Sequence, residues 1–264
     1  MVRLGRPLGV VLATVVSAIA LASCGQPAST APGPSVDPAS PLAAQPPSVA
    51  AEAGGTAEIA TVALRTGSSS ATIRGVDDAG YTVRRTVHFA DAGVAGPEPA
   101  ESSHLDGTSL VLEGCPLPDC YFAYEVSVPR TAAVTGETGS GAVDVGGIGG
   151  PVRIVAGSGV VRLADVSGEV QVQTGSGGVS GDRLGGPRTE ITTGSGAVDL
   201  RTATVQTVRA ESSTGSLRIV VAPGRYRVDV RSDATTQVEV PDDTGASATI
   251  DARSHTGNVA VGLG

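Results

Sequence analysis

The chain has 264 residues, room for one large domain or two small ones. Glycine and proline together supply 54 of them (37 + 17), yet 40% of residues are apolar, which excludes a fully disordered chain and favours many short strands joined by turns. All 18 basic residues are arginine and face 26 acidic ones; the formal charge of −8, with no basic cluster to offset it, excludes a nucleic-acid partner.

Residues 1–23 have the anatomy of a signal peptide. Arg3 and Arg6 form a basic start, and Leu8 to Ala20 is an apolar run too short for a membrane span. The run meets Leu21-Ala22-Ser23-Cys24, which resembles a bacterial lipobox. That resemblance implies cleavage before Cys24 and acylation of its thiol, so the partner at this end is a membrane. Two or more acyl chains anchor a protein stably, at about 0.8 kcal/mol per buried methylene. Without its leader the chain would carry 26 acidic residues against 16 arginines, near −10.

Residues 24–56 read as a disordered tether. Gly25 to Gly55 holds seven prolines, little charge and no periodicity, a composition that extends but does not fold. Such a tether carries a domain away from the lipid surface.

Residues 57–132 predict an irregular β cap. Strand-like runs cover Ala57–Thr66, Ala71–Arg74, Tyr81–Ala90, Ser109–Gly114 and Tyr121–Pro129, with a loop over Asp91–Gly107. Five of the six aromatic residues lie here, and bulky side chains suit the closing of an open stack. Cys115 and Cys120 enclose Pro-Leu-Pro-Asp. In an exported protein with Cys24 lipidated, this pair predicts a disulfide that locks a local turn. A redox site usually spaces its cysteines by two residues, and zinc would need two more ligands, with His104 the nearby candidate.

Residues 133–264 repeat. Gly139, Gly157 and Gly175 are 18 apart; Gly194 follows after 19, Gly215 after 21 and Gly257 after 42, read as twice 21. A fixed period of this size predicts a β-solenoid: an all-β stack of 18–21-residue coils, each with two strands and two Gly-rich turns. Apolar residues alternate along the strands and predict an inward column. One strand of successive coils gives Val143 and Val145, Val161 and Leu163, Val179, Val198 and Leu200, Ile219 and Val221, then Val261 and Leu263. The other gives Val152 and Ile154, Val170 and Val172, Thr189 and Ile191.

Asp144, Arg162, Ser180 and Asp199 should point outward on one face. On the opposite face, Glu169, Arg188 and Arg209 are expected in one column, and Arg153, Gln171, Glu190 and Glu211 in its neighbour. At a strand spacing of about 4.8 Å each corner lies on the one below, where a bulky Cβ would clash or need a positive φ. Each Gly-Ser-Gly leads into a strand, which excludes a phosphate loop, since that requires a helix N-terminus. Calcium-roll spacing is also absent, because Asp144 and Asp199 fall one residue late.

The run from Cys115 to Cys120, then Tyr124-Glu125-Val126-Ser127-Val128-Pro129, the Gly-Ser-Gly coils, Gly224 to Asp243 and Asp251 to Gly262 together resemble the bacterial adhesin-like, or toast-rack, domain family of unknown function. The resemblance covers about residues 57–264. It implies a stacked β domain displayed outside the cell, often on lipoproteins, with some relatives tied to envelope-stress systems. It carries no agreed catalytic residues and no cofactor.

Nothing in the residues themselves marks an active site. His88, His104 and His255 are dispersed, and Asp242 and Asp243 follow Pro241 in a turn. The Arg188–Arg209 and Glu190–Glu211 columns could mimic a polysaccharide-cleaving β-helix, but their alternating signs fit surface ladders better. The expectation is a non-enzymatic, lipid-anchored cell-surface protein that binds a glycan or protein. An envelope scaffold is the alternative, and a polysaccharide-active enzyme a further one.

Overall fold

The structure is a computed structural model and describes residues 49–89, 99 and 102–264, all within one compact unit, Ala44–Gly264. The leader, Cys24 and most of the tether lie outside the described residues. Regular structure in the described residues is entirely β.

The first part contains β1 (Val49–Gly55), β2 (Thr61–Gly67), β3 (Ser70–Val76), β4 (Tyr81–Phe89), β5 (Ser103–Asp106), β6 (Ser109–Glu113) and β7 (Cys120–Pro129). Five two-strand coils follow: β8 (Ala133–Thr138) with β9 (Val143–Gly146), β10 (Val152–Ala156) with β11 (Val161–Ala164), β12 (Val170–Thr174) with β13 (Val179–Leu184), β14 (Arg188–Thr193) with β15 (Val198–Thr202), and β16 (Thr207–Ser212) with β17 (Leu217–Val221). The chain ends in β18 (Tyr226–Ser232), β19 (Thr236–Val238), β20 (Ala248–Ser254) and β21 (Val259–Leu263).

From β7 onward, successive strands go to opposite sheets. The order in one is β1-β4-β7-β3-β9-β11-β13-β15-β17-β21-β19, and in the other β18-β20-β16-β14-β12-β10-β8-β2-β6-β5. The coils pair in parallel, Val152 beside Val170 and Val161 beside Val179, so each inward residue stacks on its equivalent. Every predicted inward residue is buried except Leu263, which is 47% exposed and lies beyond the part of β21 that β19 covers, Val259 to Val261. Leu217 and Val259 also belong to the column and start their strands. The core is one narrow aliphatic layer between the sheets, which explains how the chain does without tryptophan. Tyr124 and Phe122 fill it near one end and Tyr226 near the other.

Glycine at the corner is required by close approach. A Cβ at Gly159, Gly177, Gly196 or Gly215 would overlap the carbonyl oxygen of the equivalent glycine one coil below, and one at Gly141 would overlap that of Ser69. None of these glycines has a positive φ, so the conformational half of the sequence argument does not apply to them. The same overlaps show that Gly215 stacks on Gly196, 19 residues earlier, and not on Gly194. The interval of 21 is therefore a misalignment of the corner by two residues.

Both ends of the stack are threaded out of sequence order. Gly257 sits directly on Gly215, with no coil between them. The chain leaves β17, forms β18 and β19 at the far end, and returns to insert β20 and β21 beneath them. At the other end, β2 and β3 lie between β8–β9 and the later β6–β7. Residues 57–132 thus contribute a full coil in register with the repeats, Val62 beside Val134 and Ala71 beside Val143, in addition to a cap. Two further differences concern the ends. Val49–Gly55 is a strand where a tether was expected, and Ser103–Asp106 is a strand inside the expected loop. Antiparallel pairing of β1 with β4 and of β5 with β6 closes that end. At the opposite end the Asp242 carboxylate accepts the free N–H of Val228 (2.9 Å) and Val240 is buried, so the turn after Pro241 covers edge strand β18.

Candidate functional site

Cys115 and Cys120 form a disulfide with Cα atoms 5.9 Å apart, closing the loop that leads into β7. Cys120 lies opposite Phe89 at the start of that strand. The three histidines stay apart. His88 stacks on Tyr121 with ring centroids 4.9 Å apart, His104 is exposed on β5, and His255 pairs with Asp233 at 3.0 Å on a corner. Asp243 binds Arg225 (2.5 Å) and caps its own turn through Gly245 N–H (2.9 Å). The guanidinium holds the Asp243 carboxyl below its ordinary range. Among the described residues no group of three His, Cys, Asp or Glu is placed to hold a metal ion.

The ten-stranded sheet presents an ion-pair ladder whose register differs from the sequence expectation. Arg209 stands beside Glu190, and Glu211 beside Thr192, because the coil is 19 residues long. One outward column runs Arg153, Gln171, Glu190, Arg209, Asp251, Asp229. Like charges meet at Asp251 and Asp229, and Arg253 resolves the clash by bridging to both at 3.0 and 3.1 Å. It also reaches Glu211 at 3.4 Å. Hydrogen bonding to Arg253 lowers the Asp229 carboxyl, whereas burial raises that of Asp251. Every arginine of the cluster is within reach of a carboxylate, so its charges are compensated, while Asp251 Oδ1 and Arg253 Nε are buried without a hydrogen-bond partner.

The other sheet carries a different feature near its first strands. β7 lies between β3 and β4, and their outward residues form two rows across the sheet. One row reads Glu52, Arg84, Glu125, Thr72, Asp144. Glu52 accepts two hydrogen bonds from Arg84, at 2.8 and 2.6 Å, and Glu125 approaches from the opposite side at 4.0 Å. The next row reads Gly54, Thr82, Ser127, Arg74, Gly146, Ala164. Its members are small apart from Arg74, so the surface sinks between them into a depression of about 720 Å³ lined by both rows. A Cβ at Gly146 would come within 2.8 Å of Arg74 Nη1, which places the guanidinium over bare backbone. Among the described residues its one hydrogen bond is a long one, 3.4 Å to the carbonyl of Ile73.

This arrangement can bind and orient a polar ligand: it offers a cation, hydroxyls and carboxylates on a rigid floor. It does not join a nucleophile to a base. Sequence reading missed these residues. The alternation of Thr72 and Arg74 marks them as outward, but nothing local reveals that Ser127 and Thr82 are their neighbours.

The sequence profile of the Toastrack family, DUF4097, matches residues 123–263, more than half of the chain. Among solved structures, a candidate adhesin from Parabacteroides distasonis aligns at a TM-score of 0.43 and 13% identity, covering 84% of this chain and 98% of that one. A candidate cell adhesion protein from Clostridium sporogenes aligns at 0.36 and 11%, covering 82% of this chain and 100% of that one. No curated protein matches. The chain belongs to the Toastrack family.

Proposed function

We propose that this protein is a non-enzymatic, lipid-anchored surface protein whose toast-rack domain binds a glycan or protein ligand outside the cell. One observation carries the reading: both sheets hold outward polar side chains in fixed register over many coils, which makes flat, pre-ordered recognition faces whose ordering cost is met by folding. The expected lipobox at Cys24 and the proline-rich tether would place that domain at the end of a leash on the outer side of the membrane.

Surface cross-linking on intact cells, followed by recovery of the protein, tests the proposal. A host, matrix or neighbouring-cell ligand supports it. Recovery of proteins from the same envelope alone contradicts adhesion and favours a scaffold. For the anchor, Cys24→Ala should leave the chain unprocessed or release it to the medium; a correctly cleaved variant that stayed on the membrane would refute lipidation.

A further inference from the structure

We infer that the depression on the β4–β7–β3 face is a binding site for a sugar acid, a single carboxylate-bearing residue within an otherwise neutral glycan, with Arg74 taking the carboxylate. This rests on the reading of the domain as a binding module and supplies the site and ligand class that reading lacks.

Arg74 is placed to take an anion. A guanidinium has five donors in a planar fork that matches a carboxylate. In a chain where acidic residues outnumber arginines 26 to 18, partners are plentiful, and Arg84 in the adjoining row is held by two glutamates. Arg74 has no carboxylate partner among the described residues, and its one hydrogen bond is to the neighbouring carbonyl. Gly146 keeps the surface beneath it bare.

The groups around Arg74 suit sugar hydroxyls. Ser127 and Thr82 follow Arg74 along the row, and Thr72 and Glu125 stand in the next. Hydroxyls can donate to or accept from sugar hydroxyls, and carboxylates accept from them. At about 720 Å³ the space lies within the range of small-ligand sites and suits one or two sugar rings. The glutamates also decide against other anions. Glu125 on the strand next to Arg74 and Glu52 at the other side of the same depression, within a chain of charge −8, repel an acidic peptide or polyphosphate that must bring several charges together. A sugar acid brings one charge and several hydroxyls.

The test is a titration of the purified full chain, followed by amide chemical shifts, with the methyl glycoside of glucuronic acid. Its methyl ester, which keeps every ring hydroxyl and loses the charge, is the comparison. Expected shifts centre on Arg74, Ser127 and Thr82, with affinity for the acid at least about tenfold above that for the ester. Arg74→Ala should abolish the preference and Ser127→Ala weaken binding of both, while the distant, exposed Arg201→Ala changes neither. Arg74 is exposed, so its variant should melt like the parent. Equal binding of acid and ester, or an unchanged Arg74→Ala, overturns the proposal. So does equal or tighter binding of a triglutamate peptide. A failed cross-linking search beside a positive titration would remove adhesion and leave the site. A negative titration beside a captured ligand would move recognition elsewhere on the domain.

Discussion

Neighbouring carboxylates in this fold have opposite relations to pH. Asp229 is lowered by its hydrogen bond to Arg253, so it stabilises the fold above the ordinary carboxylate pKa near 3.9, and that contribution is lost as pH falls through its lower folded value. Asp251 is raised by burial, so its charge costs stability at neutral pH and the cost disappears on acidification. Asp229→Asn should therefore destabilise at pH 7, by under about 1 kcal/mol because the side chain is well solvated. Asp251→Asn should be neutral or slightly stabilising there, also removing the like-charge contact. Denaturant melts at pH 7 and pH 3 check this: the gap between the variants should narrow at pH 3. A larger loss from Asp251→Asn than from Asp229→Asn at pH 7 would contradict the assignment. A sequence reader could see these residues as outward and charged. Which of them face one another depends on the coil length, and Thr214-Gly215 hid it by imitating the start of a Gly-Ser-Gly corner.

At the scale of the element, the corner is where the sequence is least free. Inward hydroxyls just before the glycines satisfy the turn: Gly196 N–H donates to Thr193 Oγ1 at 3.0 Å, Gly215 N–H to Ser212 Oγ at 2.7 Å, and Gly257 N–H to Ser254 Oγ at 3.0 Å. The glycine that follows must leave room for the carbonyl of the coil below. Adjacent glycines in one corner consequently differ in tolerance. A Cβ at Gly177 would overlap Gly159 backbone in the corner of the neighbouring coil, which cannot yield alone, whereas at Gly178 the nearest atom is Ala197 O at 3.4 Å. Gly177→Ala should cost about 3 kcal/mol or more, and Gly178→Ala under about 1 kcal/mol. Thermal melts of the two variants decide it, and equal melting temperatures would sink the close-approach account. The requirement for glycine was legible from its recurrence, and the strand alternation gave the inward columns because both are local patterns.

At the scale of the molecule, local patterns run out. A simple solenoid adds coils in sequence order, and its last coil can be trimmed at the loss of one interface. Here β20 and β21 pair on both sides, with β16 and β18 and with β17 and β19. Removing residues 247–264 would strip the partners of two layers at once. The truncated chain should lose cooperative melting across the C-terminal coils, and its amides in β16 and β17 should exchange fast. In the intact chain the amides of β20 should exchange as slowly as those of β12. Fast exchange confined to β20 and β21 in the intact chain would mean they form an ordinary frayed end. No stretch of sequence announces this threading, since parallel pairing between distant segments leaves no local signature; the 42-residue interval looked like two coils. The ligand depression was hidden for the same reason, because its floor exists only once β7 lies between β3 and β4.

A single aliphatic layer holds the two sheets in register and keeps their outer faces rigid. Val172 and Val155 sit on neighbouring strands of one sheet, the first 1% and the second 47% exposed. Changing each to Asp makes the same chemical change on opposite sides of the sheet, and a thermal melt followed by circular dichroism compares them. Val172→Asp should abolish the cooperative β-type transition, because an unpaired charge in that layer costs several kcal/mol, about 3 to 5. Val155→Asp should melt within a few degrees of the parent. If the two variants melted alike, the inward column would not be what holds this molecule together.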